Sequence, residues 1–380
     1  MMKPKYPETQ GIHRKRCKVM SRRRLMRTLS GLGFSGITAS YLTTDDVKAA
    51  ASDEVPIVVG FHGDDPHAKR TPFVKYIPAD WYNDFRHATD VKDRVGHRFS
   101  QKNGVVSVGV IPGDAGGENS RISVRIVEDK YHRTASELPD HVDGVEVVPR
   151  KSGVPRPTSC SLDDLRNWTN TYIYGGFLVK GDSSERGYGT VSCTGYKNGN
   201  SYIITSQHIF NGSDNVGKKL RKADGTLIGE VRYDRCKEDF AATDITNGFG
   251  YARAIWDSGY NGIRGNFSYD GLGDLRRNGA RPQKVGQRTC RTTTAGITAI
   301  ASTVYTSFFG CLPKPYSVWL VDNSSSNDYK PGDSGSMSYY ESPNNSSYCW
   351  LISLCNYEDP DSDDFFGLGC YRMNEFGYQF

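Results

Sequence analysis

The feature that most constrains this chain is the spacing of short apolar runs in its last two hundred residues. GTVSCTGY (189–196), then KNGN, then SYIITSQ (201–207) reads as a hairpin closed by an Asn-Gly turn. Further runs of strand character lie at 226–234, 251–256, 296–306, 316–322, 336–341 and 349–355, each bounded by Gly, Asn, Asp or Pro. Short strands at regular spacing build a barrel or a sandwich. The single helix signal in this part is SLDDLRNW, 161–168, so a helical bundle is excluded. With 41 glycines and 23 tyrosines, the composition suits such a turn-rich β fold.

The region ahead of it is different. Residues 1–30 carry ten Lys/Arg against one Glu, so the net charge of +5 comes from the leader and the remainder is slightly acidic. No basic face for nucleic acid is therefore expected. MSRRRLMRTLSGLGFSGITASYL (20–42) has an Arg triplet, then a weakly apolar stretch, then VKAAAS; residues 1–51 read as a twin-arginine type export leader. No stretch is long enough for a stable membrane span. Residues 52–150 hold six of the eight histidines and no cysteine. Within them, 80–95 has helical spacing, and 105–112 and 122–128 read as strands. The Pro/Arg/Lys-rich 151–159 looks like an exposed linker, and 160–380 is the cysteine-bearing domain. Its eight cysteines suggest disulfides made outside the cytoplasm, and six Asn-x-Ser/Thr triplets, Asn266 among them, agree with export. The absence of CxxC argues against zinc; no metal or cofactor is expected. The acidic stretch 358–365 reads as a solvated loop.

Three residues in order carry candidate chemistry. His208 follows the strand 201–207 and is the only histidine after His141. Asp239 precedes the small-residue run 240–242, where a carboxylate can hold an imidazole in the tautomer that leaves Nε2 as the base. Ser334 lies in KPGDSGSM (330–337), a turn in which the backbone N–H groups of Gly332 and Ser334 can converge on a developing oxyanion. Asp244 is a rival for Asp239.

TSQHIF, DFAA, PGDSGS and CRTTTAGITA in this order resemble the chymotrypsin-like serine peptidases, above all the smaller bacterial secreted branch, over about residues 172–372. The chain departs from the family's pattern in Gln207 and Ile209, where Ala and Cys flank the histidine, and in Ser336, where a second Gly follows. The resemblance implies a mainly β, double-barrel catalytic domain of two six-stranded barrels with the site between them. It is preceded here by a small α+β prosegment (52–150) that folds separately and is removed near Arg150–Arg156. It implies a His208–Asp239–Ser334 triad working through an acyl-enzyme. It also implies Arg291 as the cation that holds Asp333 beneath the oxyanion turn, and Asp328 as a pocket residue for basic side chains. The strand 349–357 with Asn356 becomes the edge that pairs with substrate. Glu-specific relatives use an additional pocket histidine, and none is available here. A Cys290–Cys311 disulfide is expected. The whole reads as a secreted, monomeric serine endopeptidase acting on protein or peptide substrates and restrained by its own prosegment. The alternative is a catalytically silent peptide-binding protein on the same fold. A non-peptide acyl hydrolase ranks last, for want of a G-x-S-x-G elbow.

Overall fold

The computed structural model describes residues 54–63, 65, 68, 70–114, 117–152, 168, 171–182, 187–246, 248–256, 261–287, 289–294, 296–305, 311, 314–321, 332–342, 345–359 and 364–380. The leader 1–51, the residues after Ser152 in the linker, the helix expected before Trp168 and Asp328 lie outside them, as do the side chains of Cys290 and Arg291.

The first part of the chain forms β1 (Glu54–His62), β2 (Thr71–Pro78), α1 (Ala79–Ser100), β3 (Val105–Ile111), β4 (Arg121–Val127), α2 (Tyr131–Ser136), β5 (His141–Val142) and β6 (Val145–Ser152). Then come β7 (Tyr172–Gly175), β8 (Leu178–Gly181), β9 (Tyr188–Thr190), β10 (Cys193–Lys197), β11 (Asn200–Ser206), β12 (Lys219–Arg221), β13 (Leu227–Arg235), β14 (Phe240–Thr243), β15 (Gly250–Ile255) and β16 (Asn261–Phe267). The last part holds α3 (Tyr269–Arg277), β17 (Gln283–Gly286), β18 (Cys290–Thr293), β19 (Gly296–Val304), β20 (Lys314–Val321), β21 (Ser336–Ser342), β22 (Asn345–Asp359), β23 (Asp364–Gly369) and α4 (Cys370–Glu375).

The expected Asn-Gly hairpin is β10–β11. Asn198 and Gly199 both have positive φ, 51° and 77°, as a turn matched to the twist of the two strands requires. β11 is apolar on both faces because it serves two cores. Ile203 packs with Val179 and Phe210 inside the first sheet, and Ile204 turns the other way to Phe240, Met337 and Leu351. The first sheet has seven strands in the order β10-β11-β14-β13-β12-β8-β9, and the second has sixteen. The fold is thus mainly β with two curled sheets, but the second exceeds the six strands expected of a barrel.

Six of the sixteen strands, β1–β6, come from the N-terminal segment that was expected to fold as a separate unit. β3 pairs antiparallel with β19, Val110 opposite Ile300, and β1 pairs with β16, Gly60 opposite Phe267. α1 presents Phe85, Ala88, Val91, Val95 and Phe99 to β3 and β4 in a helical stripe. The same apolar core also takes in Ile300, Leu320 and Phe365. Each such side chain contributes about 1.5–3 kcal/mol when fully buried, so segment and body are held together by one continuous core.

Other expectations change as well. α3 was not legible as a helix; Ser268 caps it, its side chain accepting from the Gly271 N–H at 3.0 Å. Cys311 is joined to Cys236, not to Cys290, across a Cα separation of 5.7 Å. Cys193, Cys355 and Cys370 are buried thiols, which behave as small apolar side chains. Asn266 is buried and receives Arg70, so it is no surface acceptor. The acidic stretch is not simply a solvated loop, since Asp359 and Asp364 are buried at strand ends. Among the described residues no helix is long and apolar enough to cross a membrane.

Candidate active site

His208 and Asp239 come from the first sheet. β11 ends at Ser206 and the chain turns into a short 3-10 helix, Gln207–Phe210, which carries His208. Asp239 stands just before β14, the neighbour of β11. Its φ of 51° lies in the left-handed region, which Asp tolerates better than most side chains. This conformation aims both carboxylate oxygens at one residue. Oδ1 accepts from the His208 backbone N–H at 2.9 Å, and Oδ2 meets His208 Nδ1 at 2.8 Å. The ring and its backbone are therefore fixed together. A carboxylate at Nδ1 selects the tautomer with the proton there and leaves Nε2 as the basic nitrogen. Asp244, the rival, is engaged elsewhere: it accepts from the Glu230 N–H at 2.7 Å and from Arg232 Nε at 2.6 Å.

Ser334 comes from the second sheet, on the turn that leads into β21. Several bonds fix this turn. Thr190 on β9 donates its N–H to the Ser334 carbonyl at 2.7 Å and its hydroxyl to the Gly332 carbonyl at 2.9 Å. Gly335 donates to the Cys355 carbonyl at 2.8 Å. Gly335 has φ +92°, and a Cβ there would lie 2.2 Å from the Thr190 carbonyl oxygen, so no other residue fits. Burial pushes the Cys355 thiol up to about 11, and it stays protonated beneath the Ser334 turn.

Asn356 on β22 joins the two halves. Its Oδ1 accepts from Ser206 Oγ at 2.6 Å, its Nδ2 donates to the Asp239 carbonyl at 3.2 Å, and its own carbonyl accepts from Ser334 Oγ at 3.4 Å. The side chain expected to face substrate is thus committed to holding the site. Next to it, the Tyr357 ring lies 5.3 Å from the His208 ring. Ser334 has 0% exposure and His208 8%, so the pair is enclosed in this state.

Asp333 is fully buried, as expected, and among the described side chains Lys284 of β17 is a cation on it; the Arg291 side chain expected there lies outside them. Lys284 Nζ reaches Asp333 Oδ2 at 2.8 Å and Thr289 Oγ1 at 2.6 Å, and Thr289 Oγ1 lies 2.7 Å from the same carboxylate oxygen. Gly286 permits this approach, since a Cβ there would lie 2.2 Å from Asp333 Oδ1. Both Lys284 and Asp333 have 0% side-chain exposure. The sequence carried no signal for Lys284, because a lysine in a strand ordinarily faces solvent.

The site therefore lies at the seam of the two sheets, with the histidine–carboxylate pair on one and the serine turn on the other. No protein-family model and no curated protein matches the chain. Solved structures to which it is similar include serine proteases. One is a glutamic acid specific serine protease that uses a histidine triad in substrate binding, at 16% identity and TM-score 0.40 over 55% of this chain and 99% of that one. Another is Thermobifida fusca Protease A, at 12% identity and TM-score 0.41 over 55% and 97%. A third is an alpha-lytic protease homolog, at 15% identity and TM-score 0.36 over 55% and 98%.

Proposed function

We propose that the chain is an exported serine endopeptidase in which His208, Asp239 and Ser334 form the catalytic triad. The observation that carries this reading is the double grip of Asp239 on the backbone and the ring of His208, tied through Asn356 to the Ser334 hydroxyl. In the proposed reaction Ser334 Oγ attacks a peptide carbonyl carbon while His208 Nε2 takes the hydroxyl proton. The backbone N–H groups of Gly332 and Ser334 receive the oxyanion; one such donor typically contributes about 2.7–4 kcal/mol to the barrier reduction. His208 then passes the proton to the leaving amine. Water, deprotonated by His208, cleaves the acyl-enzyme and returns Ser334 to its starting form. Asp239 keeps its charge throughout and stabilises the imidazolium.

The test is labelling with a fluorophosphonate, which reacts only with an activated serine. Wild type is expected to label at Ser334 and to hydrolyse peptides. Ser334→Ala and His208→Ala are expected to lose both while keeping the wild-type melting transition. A folded wild-type chain that neither labels nor cleaves any member of a peptide library would establish the silent peptide-binding reading instead.

A further inference from the structure

The last register pair of the β22–β23 ladder sets Asp359 directly opposite Asp364. Both carboxylates are buried, with side-chain exposures of 0% and 7%. Like charges opposite each other across a strand pair repel, and removal from water sharpens the cost. Arg125, on β4 of the N-terminal segment, reaches both carboxylates, with Arg150 as a further positive charge near Asp364. Arg125 Nη1 lies 3.5 Å from Asp359 Oδ2, while Nη2 donates to Asp364 and, at 3.3 Å, to Thr298 Oγ1. The guanidinium lies 3.8 Å from the centre of the Trp319 ring, over which it stacks. Ser152, at the end of β6, donates its hydroxyl to Asp359. Both of these partners of Asp359 are thus supplied by the segment upstream of the linker. Even with Arg125 beside it, burial pushes the Asp364 carboxyl above its ordinary value.

This cluster connects to the site. Asp359 is three residues beyond Asn356 on the same strand. Trp319 stacks on Phe366 at 4.2 Å, Phe366 on Tyr357 at 5.3 Å, and Tyr357 lies 5.3 Å from His208. A continuous line of ring contacts therefore runs from Arg125 to the histidine.

We propose that residues 54–152 are a retained part of the working enzyme, and that Arg125 is a positioning residue which holds the β22–β23 end in register behind Asn356 and Tyr357. The inference rests on the peptidase reading, and it replaces the expectation that the segment is shed. Without Arg125 the two carboxylates face each other in a dry seam. The strand ends then separate, or a carboxylate takes up a proton, and the backing of the site loosens in either case. A cut in the linker changes nothing in this account, because the shared sheet and core keep the segment in place.

The experiment uses the full chain in four forms: wild type, Arg125→Met, Arg125→Lys, and Arg125→Met combined with Asp364→Asn. Fluorophosphonate labelling rate and melting temperature are measured for each at neutral pH. The labelled wild-type species is sized by native mass spectrometry, in which a segment cut at the linker but still associated counts as retained. Arg125→Met is expected to label about tenfold more slowly and to melt earlier, as for a buried charge left unpaired. The double variant should recover most of both losses, because the like-charge pair across the ladder is gone and the cluster's net charge returns to that of wild type, and Arg125→Lys should recover part. A lysate in which Arg125→Met is insoluble but the double variant is soluble and labelled also supports the proposal. The proposal is overturned if Arg125→Met matches wild type, if the double variant is no better than the single, or if the labelled species has lost residues 54–152. Should wild type itself not label, the peptidase reading fails, and the pattern of melting temperatures alone decides the role of Arg125.

Discussion

Two buried charge clusters flank the candidate site, and they are built on different plans. Beneath the Ser334 turn, Lys284 meets one carboxylate, Asp333, with Thr289 bonded to both. All three lie in the C-terminal body. At the β22–β23 end, Arg125 faces two carboxylates, Asp359 and Asp364, and reaches them from the N-terminal segment. An ammonium is a point charge with three donors and suits the compact first site. A planar guanidinium can divide its donors between two acceptors and still stack on Trp319. The difference teaches that the Ser334 turn is neutralised from within the C-terminal body, whereas the β22–β23 end takes a cation from a distant stretch of chain.

The largest effect is expected where both partners of an ion pair are fully buried. Lys284→Met strands a fully buried carboxylate and should cost about 3–5 kcal/mol in urea unfolding, with fluorophosphonate labelling reduced in step. Adding Asp333→Asn should return more than half of the stability. A Lys284→Met protein as stable as wild type would mean that the pair does not hold the turn.

The Arg125 cluster should instead show itself through pH. A carboxyl whose folded value is raised holds its proton longer in the native than in the unfolded state, so its contribution falls as pH rises from the ordinary Asp range through the raised one. Removing Arg125 widens that window upward. The stability deficit of Arg125→Met should then be small in acid and grow towards neutrality, with Asp359, Asp364 and Arg150 as the neighbouring charges. Paired melts of wild type and variant at several pH values test this. A deficit that does not change with pH would make the loss one of packing against Trp319 alone.

Smaller changes separate the bridge from its surroundings. Ser206→Ala takes a buried donor from Asn356 Oδ1 and should cost about 1–3 kcal/mol, read as an earlier melt together with severalfold slower labelling. An unchanged labelling rate would show that Asn356 is positioned without it. The smallest effect is expected at Asp244, whose partner Arg232 is 48% exposed. Asp244→Asn should change stability by less than about 1 kcal/mol and leave labelling as in wild type. Loss of labelling there would revive Asp244 as the carboxylate of the site.

Much of this was legible before any coordinates. The strand runs, the Asn-Gly hairpin and the stripe of α1 follow from local periodicity and turn chemistry, which the neighbouring residues alone encode. The pairing of His208 with Asp239 was readable because each sits at the end of an identifiable strand, beside small residues that let the two approach. Lys284 was not readable, since nothing in QKVG distinguishes a buried lysine from a solvated one. Asn356 was found, but its side chain turned out to face Ser206 and Asp239, a matter of which way one strand residue points. Cys236 and Cys311 are 75 residues apart in sequence, and only their closeness in the folded chain selects that pair among many.

By itself, then, the sequence determined the β character of the chain, the helix of the N-terminal segment and the ordered set of His208, Asp239 and Ser334. These depend on interactions within a few residues, or on side-chain chemistry that any β scaffold must present. The tertiary structure alone decided that the N-terminal segment joins the second sheet, that Lys284 neutralises Asp333, and that Arg125 stands between Asp359 and Asp364. Those outcomes are set by which strand edges remain open and by which buried charges must find a partner once water is gone. Neither condition can be read from a residue's own neighbours in the chain.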